Sequence, residues 1–118
     1  MLPAAGVAAG AVEGVAPQVH QNPYAIDSPV VAAEYCGTSI SSTVRGASEQ
    51  ADAKARHANP HCLFVDARKR GYSLIELTPE RLVLALRGVD DATRADSGTS
   101  TLATFVTEVG HPGARRLS

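Results

Sequence analysis

From Cys62 to Val109 the chain runs through successive short stretches in which apolar and polar residues alternate, a period that sends neighbouring side chains to opposite faces and commits the region to β-strands. Residues 62–66 are a short apolar run, 67–70 a polar turn, and in 71–77 Tyr72 and Leu74 oppose Ser73 and Ile75. These two runs read as a hairpin. Thr78-Pro79-Glu80 follows as a tight connection in which the proline is preset for the second turn position. Residues 81–89 then set Leu82, Leu84 and Leu86 against Arg81, Val83, Ala85 and Arg87, making a second hairpin. After the polar loop 90–99, residues 101–109 oppose Leu102, Thr104 and Val106 to Thr101, Ala103 and Phe105. The pattern predicts an antiparallel meander of about four strands.

Upstream, residues 29–35 are β-branched and apolar, bounded by proline and glycine, and read as a buried strand. Residues 47–58 are rich in Ala, Glu, Gln, Lys and Arg, with Ser48 placed to cap a helix and Pro60 placed to stop it. No apolar stripe runs along that segment, so it predicts a short surface helix. The fold class is therefore α+β, mainly β. Residues 1–20 form a low-complexity Ala/Gly/Val-rich N-terminus expected to be weakly ordered, and 21–118 form the folded segment. A four-stranded sheet with so little to cover it predicts an exposed apolar face at Leu82, Leu84 and Leu86, unpaired strand edges, and self-association through them.

The 118 residues suffice for one small domain, but the only aromatics are Tyr24, Tyr35, Phe64, Tyr72 and Phe105, so large core anchors are few. With a formal net charge of -1 and scattered basic residues, the chain lacks the electrostatic footprint of a nucleic-acid partner or an anionic membrane surface. Its N-terminus carries no basic segment before the Ala/Gly/Val stretch and is interrupted by Glu13, which argues against an export signal and for cytoplasmic retention as written. Cys36 and Cys62 lack the spacing of a zinc or thioredoxin-like site and are expected as free thiols. Oxidised to each other, they would add about 3.5 kcal/mol by loop entropy.

His57 and His61 stand four apart, but Pro60 ends the helix that would bring them to one face. His111, between Gly110 and Pro112, reads as solvated. Glu34, Thr38, Ser39, Ser41 and Ser42 form a polar cluster without a nucleophile-elbow pattern, and read as side chains that satisfy backbone groups where a strand ends. Taken alone, the residues fit a small non-enzymatic β module that binds a protein partner through an exposed sheet face.

Several short motifs in one order point elsewhere. Ser28 to Val31, then Glu34, Tyr35, Gly37, Thr38, Ser39 and Ile40, then Asn59-Pro60-His61, Phe64, Asp66, Arg70-Gly71-Tyr72, Thr78-Pro79-Glu80, Val89-Asp90 and Thr101 to Phe105 resemble the C-terminal part of the PhoD-like alkaline phosphatases and phosphodiesterases. The resemblance implies a partial metallophosphoesterase-type sandwich lacking most of its core. It implies a parent activity of metal-dependent phosphate ester hydrolysis, with calcium and iron as the parent cofactors, and parents that are often exported. Family members carry a Gly-Asp-x-His element whose histidine reaches the metal centre; His20 matches that histidine, while Pro17 and Gln18 stand where the family has Gly and Asp. By the same resemblance Glu34, Thr38 and Ser39 lie near the active-site side of the sheet. Most of the family's ligands have no counterpart in the matched region. No catalytic residue is therefore assigned, no cofactor is expected to be retained, and the chain is expected to be inactive alone.

Overall fold

The computed structural model describes residues 15–42 and 45–118, with 15–17 described by backbone only. Among these, the elements run β1 (Val15–His20), β2 (Val30–Ala33), α1 (Glu49–Ala58), β3 (Cys62–Val65), β4 (Gly71–Leu77), β5 (Arg81–Val89), β6 (Thr99–Glu108) and β7 (His111–Arg116). They build two antiparallel sheets, one ordered β2-β1-β3 and the other β4-β5-β6-β7. No described helix is long and apolar enough to cross a membrane.

The four-stranded meander is present, with one change of membership. β4 and β5 pair without interruption from Gly71↔Gly88 to Leu77↔Leu82, and β5 pairs with β6 across their length. The Thr78 hydroxyl accepts the N–H groups of Glu80 and Arg81 at 3.3 and 3.2 Å and closes the turn between β4 and β5. The fourth strand is β7, which follows β6 through Gly110 at φ +80. The expected hairpin of 62–66 with 71–77 does not form: β3 pairs with β1, joining Val15 to Val65 and Pro17 to Cys62.

The cause lies in the five residues between β3 and β4. The Asp66 carboxylate accepts the N–H groups of Arg68 and Lys69 at 2.8 and 3.0 Å, bending the chain, and Arg70, 4% exposed, turns its guanidinium inward. There it donates to the Ser39 hydroxyl at 2.6 Å, to the Ser42 carbonyl at 2.8 Å and to the Ala67 carbonyl. A segment that looks like a hairpin turn thus carries the chain from one sheet to the other.

Helix α1 docks by polar contacts, which explains its missing apolar stripe. Ser48 caps it by accepting the Ala51 N–H at 3.0 Å. Its buried residue is Asp52, 2% exposed, whose carboxylate accepts the Ala67 N–H at 3.1 Å and the Arg68 Nε–H at 2.9 Å. Burial of a carboxylate is tolerable only when it is paired and hydrogen-bonded in this way.

The core lies between the sheets. Leu84, Leu86, Ala103 and Phe105 are buried, and Leu63, Phe64, Ala33 and Tyr35 pack over them. The Tyr35 and Phe64 rings stand 6.1 and 6.4 Å from that of Phe105. The apolar face expected to be exposed at Leu84 and Leu86 is therefore covered, because β1 supplies a second sheet. That strand occupies residues 15–20 of the stretch expected to be weakly ordered; residues 1–14 lie outside the described residues. The sheets are joined where Gln18 donates from Nε2 to the Ala114 carbonyl at 2.8 Å and accepts the Ala114 N–H at 2.7 Å.

Gly71 shows why its position needs glycine. Its φ is not positive, so turn conformation is not the reason; a Cβ there would lie 1.8 Å from the Arg87 carbonyl oxygen. Gly71→Val is expected to destabilise the chain by more than about 2 kcal/mol, because backbone in the adjacent strand must move. Gly46→Ala, with φ +77 and nothing within 4 Å, carries conformational strain only and should cost less. Urea midpoints for the two variants check the order.

Candidate functional site

His20 ends β1, and the loop that follows is folded on itself. The Asn22 carboxamide oxygen accepts the Tyr24 N–H at 3.0 Å, the Ser28 hydroxyl accepts the Asn22 N–H at 3.1 Å and donates to the Asn22 carbonyl at 3.0 Å, and Gln21 N–H donates to the Pro29 carbonyl at 2.8 Å. This bonding sets the Ser28 carbonyl 2.8 Å from His20 Nδ1. A carbonyl can only accept, so Nδ1 carries the proton and, in the neutral ring, the lone pair stands on Nε2.

His61, the residue before β3, reaches the same place. Its carbonyl accepts the Gln18 N–H at 2.8 Å, which brings it beside the end of β1. Its Nε2 is buried without a hydrogen-bond partner among the described residues, and so is Asn59 Oδ1. Burial, followed by the nearby His20, lowers the His61 pKa from its ordinary value. His20 and His61 line a cavity of about 320 Å³ whose remaining wall is largely apolar, from Pro23, Tyr24, Ile26 and Pro60. As the proline between them dictates, His57 is not part of this wall; it is exposed on α1, and His111 is exposed on β7.

Glu34, Thr38 and Ser39 fall elsewhere. Thr38 donates to the Lys69 carbonyl at 3.2 Å, while the Ser39 hydroxyl donates to the Ser42 carbonyl at 2.7 Å and accepts from Arg70. None of the three lines the His20 cavity. Among the described residues no group of three or more His, Cys, Asp or Glu side chains is placed to hold a metal ion. Sequence reading paired His61 only with His57; its true neighbour, His20, is joined to it by the β1–β3 ladder, which no local spacing announces.

Comparison with known proteins places the fold. The chain is 34% identical over 92 residues to alkaline phosphatase D of Bacillus subtilis (strain 168), a match over 77% of this chain and 16% of that protein. It superposes on a solved structure of PhoD with a TM-score of 0.76 at 26% identity, over 92% of this chain and 21% of that one. The chain thus spans less than a quarter of either relative. No family model matches.

Cys36 and Cys62 are free. Burial and then Glu34, whose carboxylate accepts from Cys36 Sγ at 3.3 Å, push the Cys36 thiol up to about 11; burial and then the Glu34 charge do the same for Cys62. A raised thiol pKa favours the folded state below the unfolded value of 9.0, and that contribution is lost as pH rises through 9 toward 11. At pH 8 the thiolate fraction should be about a hundredfold below that of an unperturbed thiol. Iodoacetamide is accordingly expected to label both cysteines roughly a hundredfold more slowly in the native chain than in denaturant, followed by mass spectrometry. Equal rates would place both thiols in open solvent.

Proposed function

We propose that this chain, a PhoD-like segment by sequence and by fold, forms one wall of a metal-dependent site for phosphate ester hydrolysis and does not turn over phosphate esters by itself. The observation that carries this is the seating of His20, the residue matching the family's metal-reaching histidine, in the lining of a cavity with its Nε2 lone pair fixed by the Ser28 carbonyl. When bound, clustered metal ions polarise phosphoryl oxygens and lower the pKa of a bound water. That chemistry needs several ligands held in a preorganised shell, and the described residues bring together fewer than three. The imidazole of His20 suits iron; calcium, which surrounds itself with oxygen ligands, finds no carboxylate in this wall.

Glu34, Thr38 and Ser39 act in this reading through position. Thr38 and Ser39 hold the 38–42 segment against Arg70 and Lys69, and the Glu34 carboxylate accepts from Cys36 Sγ. The purified chain, assayed with p-nitrophenyl phosphate and bis-p-nitrophenyl phosphate in calcium, ferric or manganese salts, is expected to show no hydrolysis above buffer. Turnover that His20→Ala abolishes would overturn the claim that the wall is insufficient.

A second reading, a β module that binds protein, is favoured by one observation. Along the edge strand β4, Leu74, Ile75 and Leu77 are 59%, 56% and 74% exposed. An apolar edge with open backbone groups on one side is a template for strand addition. Light scattering at rising concentration should show self-association that Ile75→Lys and Leu77→Lys reduce. A monodisperse monomer throughout would remove this reading.

A further inference from the structure

We propose that the apolar cavity beside His20 is a subsite for a single uncharged aromatic ring, the organic group of a phosphate ester held against the wall formed by this chain. The inference rests on the phosphate ester reading for the phosphoryl group; the ring, and its recognition by Pro23, Tyr24 and Ile26, are additional to it.

Three observations carry it. The cavity holds about 320 Å³, and sites for small organic ligands begin near roughly 300 Å³. That is room for one ring rather than for an extended chain. Its wall is built largely from Pro23, Tyr24, Ile26 and Pro60, with no Asp, Glu, Lys or Arg among the lining residues. Even His61 offers little polarity there, because its Nε2 is buried. The loop that carries the wall is also fixed before any ligand arrives. The Ser28 hydroxyl closes it across the backbone of Asn22, the Asn22 carboxamide oxygen accepts the Tyr24 N–H, and the Ser28 N–H donates to the Ala25 carbonyl at 3.0 Å. Yet this fixed loop leaves Tyr24 88% and Ile26 56% exposed. Apolar side chains held in place without cover mark a ligand surface, and a loop ordered in advance spares the ligand the cost of ordering it.

The chemistry of the wall then selects the occupant. An aromatic ring can lie against the Tyr24 ring and the two prolines with no polar group left unsatisfied. A polyol would surrender hydrogen bonds to water that Pro23, Ile26 and Pro60 cannot replace. A charged organic group would leave water with no Lys, Arg, Asp or Glu to meet it. His20 stands in the same lining, so the ring and the side chain assigned to the metal are neighbours.

The test is titration of the full chain with phenol, glycerol and inorganic phosphate separately, read from the ¹H–¹³C signals of the Tyr24 ring and the Ile26 methyl groups. Phenol should shift both along one saturable isotherm, and glycerol and phosphate at the same concentrations should shift neither. Leu77, an exposed apolar residue outside the cavity, should stay still. Tyr24→Ala and Ile26→Ala should each weaken phenol binding by roughly fivefold or more. Tyr24→Phe, which keeps the ring, should retain it. Both positions are more than half exposed, so circular dichroism should show the fold unchanged in these variants; should one unfold, the signals of the unsubstituted chain decide. Shifts that do not saturate, equal movement at Leu77, equal binding of glycerol or phosphate, or an affinity unmoved by Tyr24→Ala each overturns the proposal. A failed phenol titration leaves the metal wall standing, whereas hydrolysis of p-nitrophenyl phosphate by the chain would refute the insufficiency of the wall without moving the phenol isotherm.

Discussion

The two sheets are held to each other by the side chain of Gln18, which donates to one backbone group of Ala114 and accepts from the other. In effect the carboxamide adds a rung beyond the β7 ladder. The approach is so close that a Cβ on Gly113, whose φ is +94, would sit 2.5 Å from Val30 Cγ1. Burial of Leu84, Leu86 and Phe105 follows from this docking, since without the small sheet these residues would face water. The residue that matters for fold here is the one that departs from the Gly-Asp-x-His pattern. An aspartate could accept the Ala114 N–H but could not donate to its carbonyl, and an unsatisfied buried acceptor costs about 1–3 kcal/mol. Glutamine at position 18 thus satisfies both backbone groups of Ala114.

Scarcity of large apolar side chains is met by polar docking elsewhere. Helix α1 presents Asp52 where an amphipathic helix would present leucine, and the turn beneath it answers with the Ala67 N–H and the Arg68 guanidinium. Arg70 does the same for the 38–42 segment. Such contacts are directional and break badly. Removing either partner strands a buried charge or donor, so these few residues fix where the helix and the loop can lie.

The sequence pattern made β4, β5, β6 and α1 legible because each carries its own local signal: alternation in the strands, a serine cap and a proline stop for the helix. It failed at β1 and β7 for a common reason. β1 contains Pro17 and is irregular against both neighbours, with register shifts at Val15/Pro17 and at Val19/His20. β7 opens with His111-Pro112-Gly113, which reads as a tail. Proline and glycine argue against a strand when its ladder is unknown, yet bulges accommodate them. The false hairpin of 62–66 with 71–77 has a different origin. A four-residue polar connection suits a hairpin, and nothing local shows that Arg70 will be drawn inward by Ser39 and the carbonyl of Ser42.

His20 and His61 were separately visible and jointly invisible, and the same strand explains both. Among the described residues β1 is the central strand of its sheet, paired with both β2 and β3, and the loop 21–28 follows from its end. Its position 18 clasps β7, its backbone at 18 receives His61, and its last residue is His20. The inter-sheet clasp and the paired imidazoles are therefore not independent features. A change that frees the Gln18 side chain loosens the strand from which both histidines take their separation, so the geometry of the cavity is set by packing against a sheet to which neither histidine belongs.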